Sequence, residues 1–110
     1  MNKKGKLYEK IACEYLKNKG YQIIQTNFRS HLGEIDIIAY KDYCVVAVEV
    51  KGGKCAFDKI DNKKIRKIIS TLELFLMNKK IKFKSTRIDA IFIHSISGKL
   101  KLYHIENITL

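Results

Sequence analysis

Two short segments of the chain place carboxylates inside stretches that otherwise have the composition of buried strands. Glu34 and Asp36 lie in the segment GEIDIIA, and Glu49 and Lys51 lie in the segment VVAVEVK. Burying a carboxylate costs free energy unless the group is paired with a positive charge or binds a cation. The two segments are therefore the first candidates for a functional site.

A tight turn predicted over residues 41–44 joins the two segments into a hairpin. If the hairpin is centred on the middle of this turn, the numbers of paired residues sum to 85, so that Asp36 faces Glu49 and Glu34 faces Lys51. Facing residues in an antiparallel pair have Cβ atoms about 4.5–5.5 Å apart. Two carboxylates at that distance repel each other, and a divalent cation between them would turn the repulsion into a binding site.

Carboxylates beside a lysine suit metal-dependent hydrolysis of a phosphodiester. Asp36 and Glu49 supply the hard oxygen ligands that Mg²⁺ or Mn²⁺ prefers. Lys51, two residues after Glu49, projects from the same face of the strand and can orient a water molecule or stabilise developing charge. Glu9, in the predicted first helix, can border the sheet and hold a metal-bound water. The alternative is a solvated charged face at Glu49 and Lys51, with Asp36 paired to a lysine at a strand end.

The pattern of apolar residues predicts an α/β domain that spans residues 1–110. A helix, three strands, a helix and two strands are predicted over residues 5–19, 21–28, 33–40, 44–51, 61–78, 87–94 and 100–106. Asp61 is the candidate N-cap of the second helix, whose apolar stripe comprises Ile65, Ile68, Ile69, Leu72, Phe75 and Leu76. The order α-β-β-β-α-β-β predicts a three-layer domain with a mixed sheet of about five strands flanked by helices, in which the second helix permits a parallel crossover.

The charge of the chain predicts a polyanionic partner. Lys and Arg number 22 against 11 Asp and Glu, a net charge of +11, which favours nucleic acid, although a generic basic surface is the alternative. Cations in the first turns of a helix oppose its dipole, so helix stability does not explain the basic residues of the second helix. Either they bind phosphate or they form a solvated face. The candidate phosphate-binding residues are Arg29, Lys54, Lys63, Lys64, Arg66 and Lys67.

The remaining composition bears on compartment and assembly. Cys13, Cys44 and Cys55 are widely spaced, so they indicate neither a disulfide framework nor a zinc knuckle. Neither a long apolar run nor a signal-peptide core is visible, which favours a cytoplasmic protein that does not enter the membrane. The oligomeric state stays open, with a homodimer as one option.

In combination, the motifs resemble the YraN family (UPF0102), small uncharacterised proteins with a restriction-endonuclease-like fold. The GEIDIIA and VEVK segments resemble the core of that family. Four further segments extend the resemblance over nearly the whole chain: Glu9-Lys10-Ile11-Ala12, Asn27-Phe28-Arg29, Arg87-Ile88-Asp89-Ala90-Ile91 and His104-Ile105-Glu106-Asn107.

This resemblance implies membership of the nuclease superfamily whose core motif is written PD-(D/E)-x-K. Asp36 would be the first metal ligand, Glu49 the second and Lys51 the catalytic lysine, while Glu9 would match the acidic residue of the first helix in the archaeal Holliday-junction-resolvase branch. Glu34 would be an auxiliary acid or a partner of Lys51. The implied activity is Mg²⁺-dependent endonucleolytic cleavage of DNA, with branched or structured DNA as the substrate. The alternative is a nucleic-acid-binding protein of the same fold with weak or no cleavage.

The chain departs from the family pattern at three places. Ile35 stands at the superfamily's proline, as is usual for YraN-like chains. Tyr8 precedes Glu9 where the family has glycine, and Gly52-Gly53 follow Lys51 where relatives carry Thr-Arg.

Overall fold

Two helices and five strands follow one another in the predicted order. The computed structural model describes residues 3–53 and 60–109. Its elements are α1 (Lys3–Asn18), β1 (Gln22–Ser30), β2 (Gly33–Lys41), β3 (Cys44–Gly52), α2 (Asn62–Met77), β4 (Ser85–Ile96) and β5 (Lys99–Ile105). The predicted order of elements is confirmed, and the observed bounds differ from the predicted ones by at most two residues at each end.

All five strands lie in one sheet, in the order β1-β2-β3-β4-β5. Neighbouring strands are antiparallel except β3 and β4, which are parallel and are connected through α2. The predicted crossover is therefore confirmed. Among the described residues, neither helix combines the length and apolar character that crossing a membrane requires.

A separate hydrophobic core lies on each face of the sheet, because alternate strand residues point to opposite faces. Ala12 and Leu16 of α1 pack on one face with residues such as Val46. Leu72 and Phe75 of α2 pack on the other face with partners that include Ile38, Val45 and Ala47. The sheet thus lies between two helices, which gives the predicted three layers.

One member of the predicted stripe of α2 does not belong to the core. Ile69 is 37% exposed, whereas Thr71 is fully buried. The Thr71 hydroxyl donates a hydrogen bond of 2.7 Å to the carbonyl of Lys67, one turn earlier, so its burial leaves that polar group satisfied. This internal bond explains how a threonine outside the predicted apolar stripe can be buried.

The hairpin has the predicted register, and its strands then separate. Pairs from Ile37↔Val48 to Lys41↔Cys44 all sum to 85. Before Ile37, however, β2 pairs with β1 alone, and after Val48, β3 pairs with β4 alone. Glu34 lies opposite Arg29 of β1, so the expected facing of Glu34 and Lys51 was wrong. The strands part at the positions of Asp36 and Glu49.

A buried ionic network ties α1 to strands β4 and β5. Arg87 donates hydrogen bonds of 2.7 and 2.9 Å to the Asp89 carboxylate, and His104 lies 2.7 Å from the same group. The other ring nitrogen of His104 lies 3.0 Å from the Tyr15 hydroxyl of α1. Burial opposes ionisation of Asp89, but hydrogen bonds from His104, Arg87 and the Asn107 backbone outweigh it and lower its pKa. This network holds the helix that carries Glu9.

Tyr8 of α1 fills the space beside Gly52 at the end of β3. A Cβ atom built on Gly52 would lie 2.1 Å from Cδ2 of the Tyr8 ring and 2.4 Å from its Cγ. Only glycine at position 52 admits the ring in this place. The large residue on the helix and the small residue on the strand therefore form one packing unit.

We predict that Gly52→Ala destabilises the protein through its clash with Tyr8. The added methyl group forces the ring to move, which should lower the free energy of unfolding by about 1–3 kcal/mol, measured by urea denaturation. In a Tyr8→Ala background the same methyl group has room, so the loss should shrink to below about 0.5 kcal/mol. An equal loss in both backgrounds would contradict the contact.

Candidate metal and phosphate site

A cavity of about 360 Å³ opens where β2 and β3 part. Both strands and the beginning of α2 contribute to its walls, which combine carboxylates with lysines. The lining residues are Gly33, Glu34, Asp36, Glu49, Asp61, Lys63, Lys64, Lys67 and Ile68. The structure thus brings two predicted metal ligands and three predicted phosphate-binding lysines to one place.

Asp36 lies at the point of strand separation and is held there by the backbone of β3. Its Oδ2 atom accepts a hydrogen bond of 2.8 Å from the backbone N–H of Val50. This bond replaces the ladder bonds that end at Ile37↔Val48. The Asp36 carboxylate is therefore fixed between the two strands, where it lines the cavity.

Glu49 carries the most perturbed carboxyl group of the site. Its side chain is 8% exposed, and the Lys64 ammonium lies 3.2 Å from its Oε1 atom. Burial, the charge of Asp36 and a hydrogen bond between the two carboxyl groups raise the pKa of Glu49 to about 8, against the smaller opposing effect of Lys64. Two ionised carboxyl groups this close repel each other, so the pair favours a positive charge beside it.

Glu9 lies on α1, outside the lining residues of the cavity and close to the charges of Asp36 and Glu34. Its Oε1 atom accepts a hydrogen bond of 2.8 Å from the side-chain amide of Asn27, while its Oε2 atom is buried without a hydrogen-bond partner among the described residues. Asn27 has a φ of 51°, a conformation that asparagine tolerates better than most residues. Burial, together with the nearby charges of Asp36 and Glu34, raises the pKa of Glu9 despite the Asn27 bond.

The first turn of α2 supplies the basic wall of the cavity. Asp61 caps the helix as predicted, since its side chain accepts a hydrogen bond of 2.8 Å from the backbone N–H of Lys64. This cap fixes where α2 begins and therefore where the Lys63, Lys64 and Lys67 side chains start. Lys64 reaches Glu49, and the other two lysines line the cavity beside it.

The other predicted site residues lie around or away from the cavity. Lys51 is half-buried on β3, two residues after Glu49, and is not one of the lining residues. Arg29 forms an ion pair of 3.3 Å with Glu34, so Glu34 is engaged by β1 rather than by Lys51. Arg66 is exposed on α2 outside the lining set. The predicted contact of Lys54 falls outside the described residues.

The chemistry of the donor atoms fits a divalent cation that prefers oxygen. Asp36 and Glu49 present adjacent carboxyl groups, and Glu9 has a buried oxygen without a partner among the described residues. Carboxylates of this kind are the ligands that Mg²⁺ and Mn²⁺ accept. Asp36 and Glu49 would hold the ion, and Glu9 would hold a water molecule or a further coordination position.

A second group of ligand atoms lies elsewhere and has a structural role. Atoms of Asp89, His104 and Glu106 come within 4.8 Å of one another. Both oxygens of Asp89 already accept hydrogen bonds, including two from the Arg87 guanidinium. A cation there would have to displace the arginine, so this group ties the sheet together instead.

Sequence reasoning did not identify two of the contacts that shape the site. The bond from Asn27 to Glu9 accompanies an irregular backbone conformation in β1, where Asn27 has a φ of 51°. The ion pair between Lys64 and Glu49 depends on how α2 packs across the sheet. The only signal in the sequence was the run of cations in the first turns of α2, where the helix dipole disfavours them.

The comparisons with known proteins agree with the family indicated by the motifs. The profile of the uncharacterised protein family UPF0102 matches residues 8–93. A UPF0102 protein of Persephonella marina is 44% identical over 94% of this chain and 90% of its own length. UPF0102 proteins of Fervidobacterium nodosum and Campylobacter lari are 41% and 40% identical, over 96% and 92% of this chain and 81% and 88% of their own lengths.

We predict that Glu49 lowers the stability of the metal-free protein as the pH rises. Because its folded-state pKa of about 8 lies above the ordinary value of 4.5, the favourable contribution of its proton is complete below pH 4.5 and is lost as the pH rises through 8. Glu49→Gln keeps the shape without the charge. It should unfold with a similar free energy to the wild type near pH 5, and be more stable by at least about 1 kcal/mol at pH 9.

Chemical denaturation in a metal-chelating buffer across this pH range measures the difference. Glu73→Gln, which changes an exposed carboxylate of α2, is the control and should show a difference from the wild type that does not vary with pH. A constant difference for Glu49→Gln would contradict the raised pKa.

Proposed function

The chain belongs to the uncharacterised protein family UPF0102, and we propose that it is a metal-dependent nuclease that hydrolyses phosphodiester bonds in DNA. The observation that carries the proposal is the pair of adjacent carboxyl groups of Asp36 and Glu49, set where two strands part and faced by a wall of lysines. A purely structural site would have little use for two adjacent carboxyl groups that repel each other, one of them buried.

Residues in and around the cavity would each have a different role in hydrolysis. A divalent ion bound here would polarise the phosphate and lower the pKa of a water molecule. Asp36 and Glu49 would fix its position, because the backbone N–H of Val50 holds Asp36 in place and burial limits the freedom of Glu49. The Glu9 oxygen that has no hydrogen-bond partner among the described residues would accept a hydrogen bond from the attacking water.

Basic residues would hold the nucleic acid and stabilise its developing charge. The lysines of α2 line the cavity from one side, within reach of a phosphate beside the carboxylates. Lys51 follows Glu49 by two residues on β3, so it would approach the reacting phosphate from the strand. The net charge of +11 would draw the polyanion to this surface from a distance.

The geometry of the cavity does not distinguish DNA from RNA, because the phosphodiesters of both present the same charges to it. The preference for DNA, and for branched or structured DNA, comes from the resemblance of Glu9 and the core motif to the resolvase branch of the superfamily.

We predict metal-dependent cleavage that Asp36→Asn abolishes. Linear duplex, single-stranded and four-way-junction DNA are incubated with the protein in Mg²⁺, in Mn²⁺ and in a chelator, and products are resolved by gel electrophoresis. Asp36→Asn and Lys51→Ala should each lower the rate by at least about 100-fold, because one removes a ligand and the other a stabilising charge. Glu73→Gln is the control for an exposed carboxylate and should cut at the wild-type rate.

Binding to the same substrates is measured in parallel and separates the alternatives. Affinity should fall steeply as the salt concentration rises, with a slope of about 0.9 for each phosphate contacted in duplex DNA. Salt-dependent binding without any cleavage product would favour the nucleic-acid-binding alternative. Variants that cut as fast as the wild type would remove these residues from the mechanism.

A further inference from the structure

Lys64 places a positive charge at the carboxylate that would ligate a metal. Its ammonium lies 3.2 Å from Oε1 of Glu49, and its side chain is half-exposed while that of Glu49 is 8% exposed. An ammonium and a divalent cation cannot occupy the same side of one carboxylate oxygen. In this structure Lys64 therefore holds the position that a metal bound at Oε1 of Glu49 would take.

Helix stability does not explain why a lysine stands at this position. The helix dipole favours negatively charged side chains in the first turn, yet Lys64 lies in the first turn of α2. Lys63 and Lys67 line the same cavity, yet neither forms an ion pair with any other residue that the structure describes. Lys64 alone of the three is aimed at Glu49, and the Asp61 cap fixes the turn from which it reaches.

We propose that Lys64 is an exchangeable counter-ion that couples metal binding to phosphate binding. In the metal-free protein it neutralises Glu49. When Asp36 and Glu49 bind a divalent cation, Lys64 leaves Glu49 and binds a phosphate of nucleic acid in the same cavity. This inference rests on the proposed function, since it assigns the order in which the proposed site is assembled.

The geometry of the lysine side chain makes the exchange possible. Four flexible carbons separate the ammonium from a backbone that the helix holds fixed, so the charge can swing within the cavity without moving α2. The cavity of about 360 Å³ lies against both Glu49 and Lys64, which leaves the released ammonium facing the space that a phosphate would enter.

Coupling of this kind is reciprocal and therefore measurable from either side. If a metal frees Lys64 for phosphate, then phosphate that holds Lys64 away from Glu49 must favour the metal by the same factor. Lys63 and Lys67 would attract phosphate whether or not a metal is bound, because neither has to leave a carboxylate first. The distinction between Lys64 and its neighbours is what the experiments address.

The first experiment measures Mn²⁺ affinity without nucleic acid, by isothermal titration calorimetry. Lys64→Met keeps most of the side-chain shape and removes the competing charge, so it should bind Mn²⁺ about three- to fivefold more tightly than the wild type. Lys67→Met removes the same charge from the same wall without removing a contact to Glu49, and should change the affinity by less than about twofold. Lys64→Arg keeps the charge and should stay close to the wild type.

The second experiment measures binding of a short DNA duplex by fluorescence anisotropy, with Ca²⁺ or with a chelator. Ca²⁺ should strengthen binding to the wild type and to Lys67→Met by similar factors, although Lys67→Met binds more weakly throughout. In Lys64→Met the strengthening should be markedly smaller. Circular dichroism and thermal unfolding of each variant confirm that the exposed substitutions leave the fold intact.

The inference is overturned if Lys64→Met binds Mn²⁺ no more tightly than the wild type, or if Ca²⁺ strengthens its DNA binding as much as in the wild type. These outcomes differ from failure of the proposed function. Wild-type protein that shows the predicted Mn²⁺ exchange but cuts no DNA would support the role of Lys64 and remove the nuclease activity. Wild-type protein that binds no Mn²⁺ would remove both.

Discussion

The burial of the Glu49 carboxyl group beside that of Asp36 is the constraint to which the surrounding structure responds. Val45, Val46, Ala47 and Val48, which precede Glu49 on β3, are fully buried, so an apolar residue would continue the strand at a lower cost. Instead the two strands part, and the Val50 N–H turns to the Asp36 carboxylate. Even so, the pKa of Glu49 stays raised. The fold thus maintains a pair of carboxyl groups with too little positive charge around it, as the proposed cation site requires.

The crossover helix α2 brings positive charge to this pair of carboxyl groups. A close approach at Gly33 allows α2 to pack where it can do so. A Cβ atom on Gly33 would lie 2.9 Å from Oγ1 of Thr71, so only glycine lets α2 settle against the beginning of β2. This contact, together with the cap at Asp61, places the first turn of α2 over the gap between β2 and β3. The basic residues there are unfavourable for the helix itself, but they lie where the carboxylates need positive charge.

The features of the fold and of the site that could be predicted from the sequence are those determined by residues close together in the chain. The hairpin register follows from the two-residue period of strands and a short turn, both local properties, and it was predicted to the residue. The beginning of α2 followed from Asp61, also local. The separation of the strands, the bond from Asn27 to Glu9 and the contact of Lys64 with Glu49 each require two elements to pack in three dimensions. For the same reason the expected facing of Glu34 and Lys51 failed, since it extended a ladder that had already ended.

The two departures from the family pattern at Tyr8 and Gly52 are one change in the structure. The family pattern has glycine on the helix at position 8 and a larger residue on the strand at position 52, whereas this chain has the large residue on the helix. The Tyr8 ring occupies the space that a side chain at position 52 would fill. Because Glu9 follows Tyr8 directly, this exchange preserves the approach of α1 to β3 and keeps Glu9 near Asp36. The family pattern has an arginine after this position and this chain has Gly53 there, so in the proposed function a phosphate would contact positive charge on another element. The lysines of α2 already line the cavity from the opposite side, and a nuclease built this way would hold its substrate through the crossover helix.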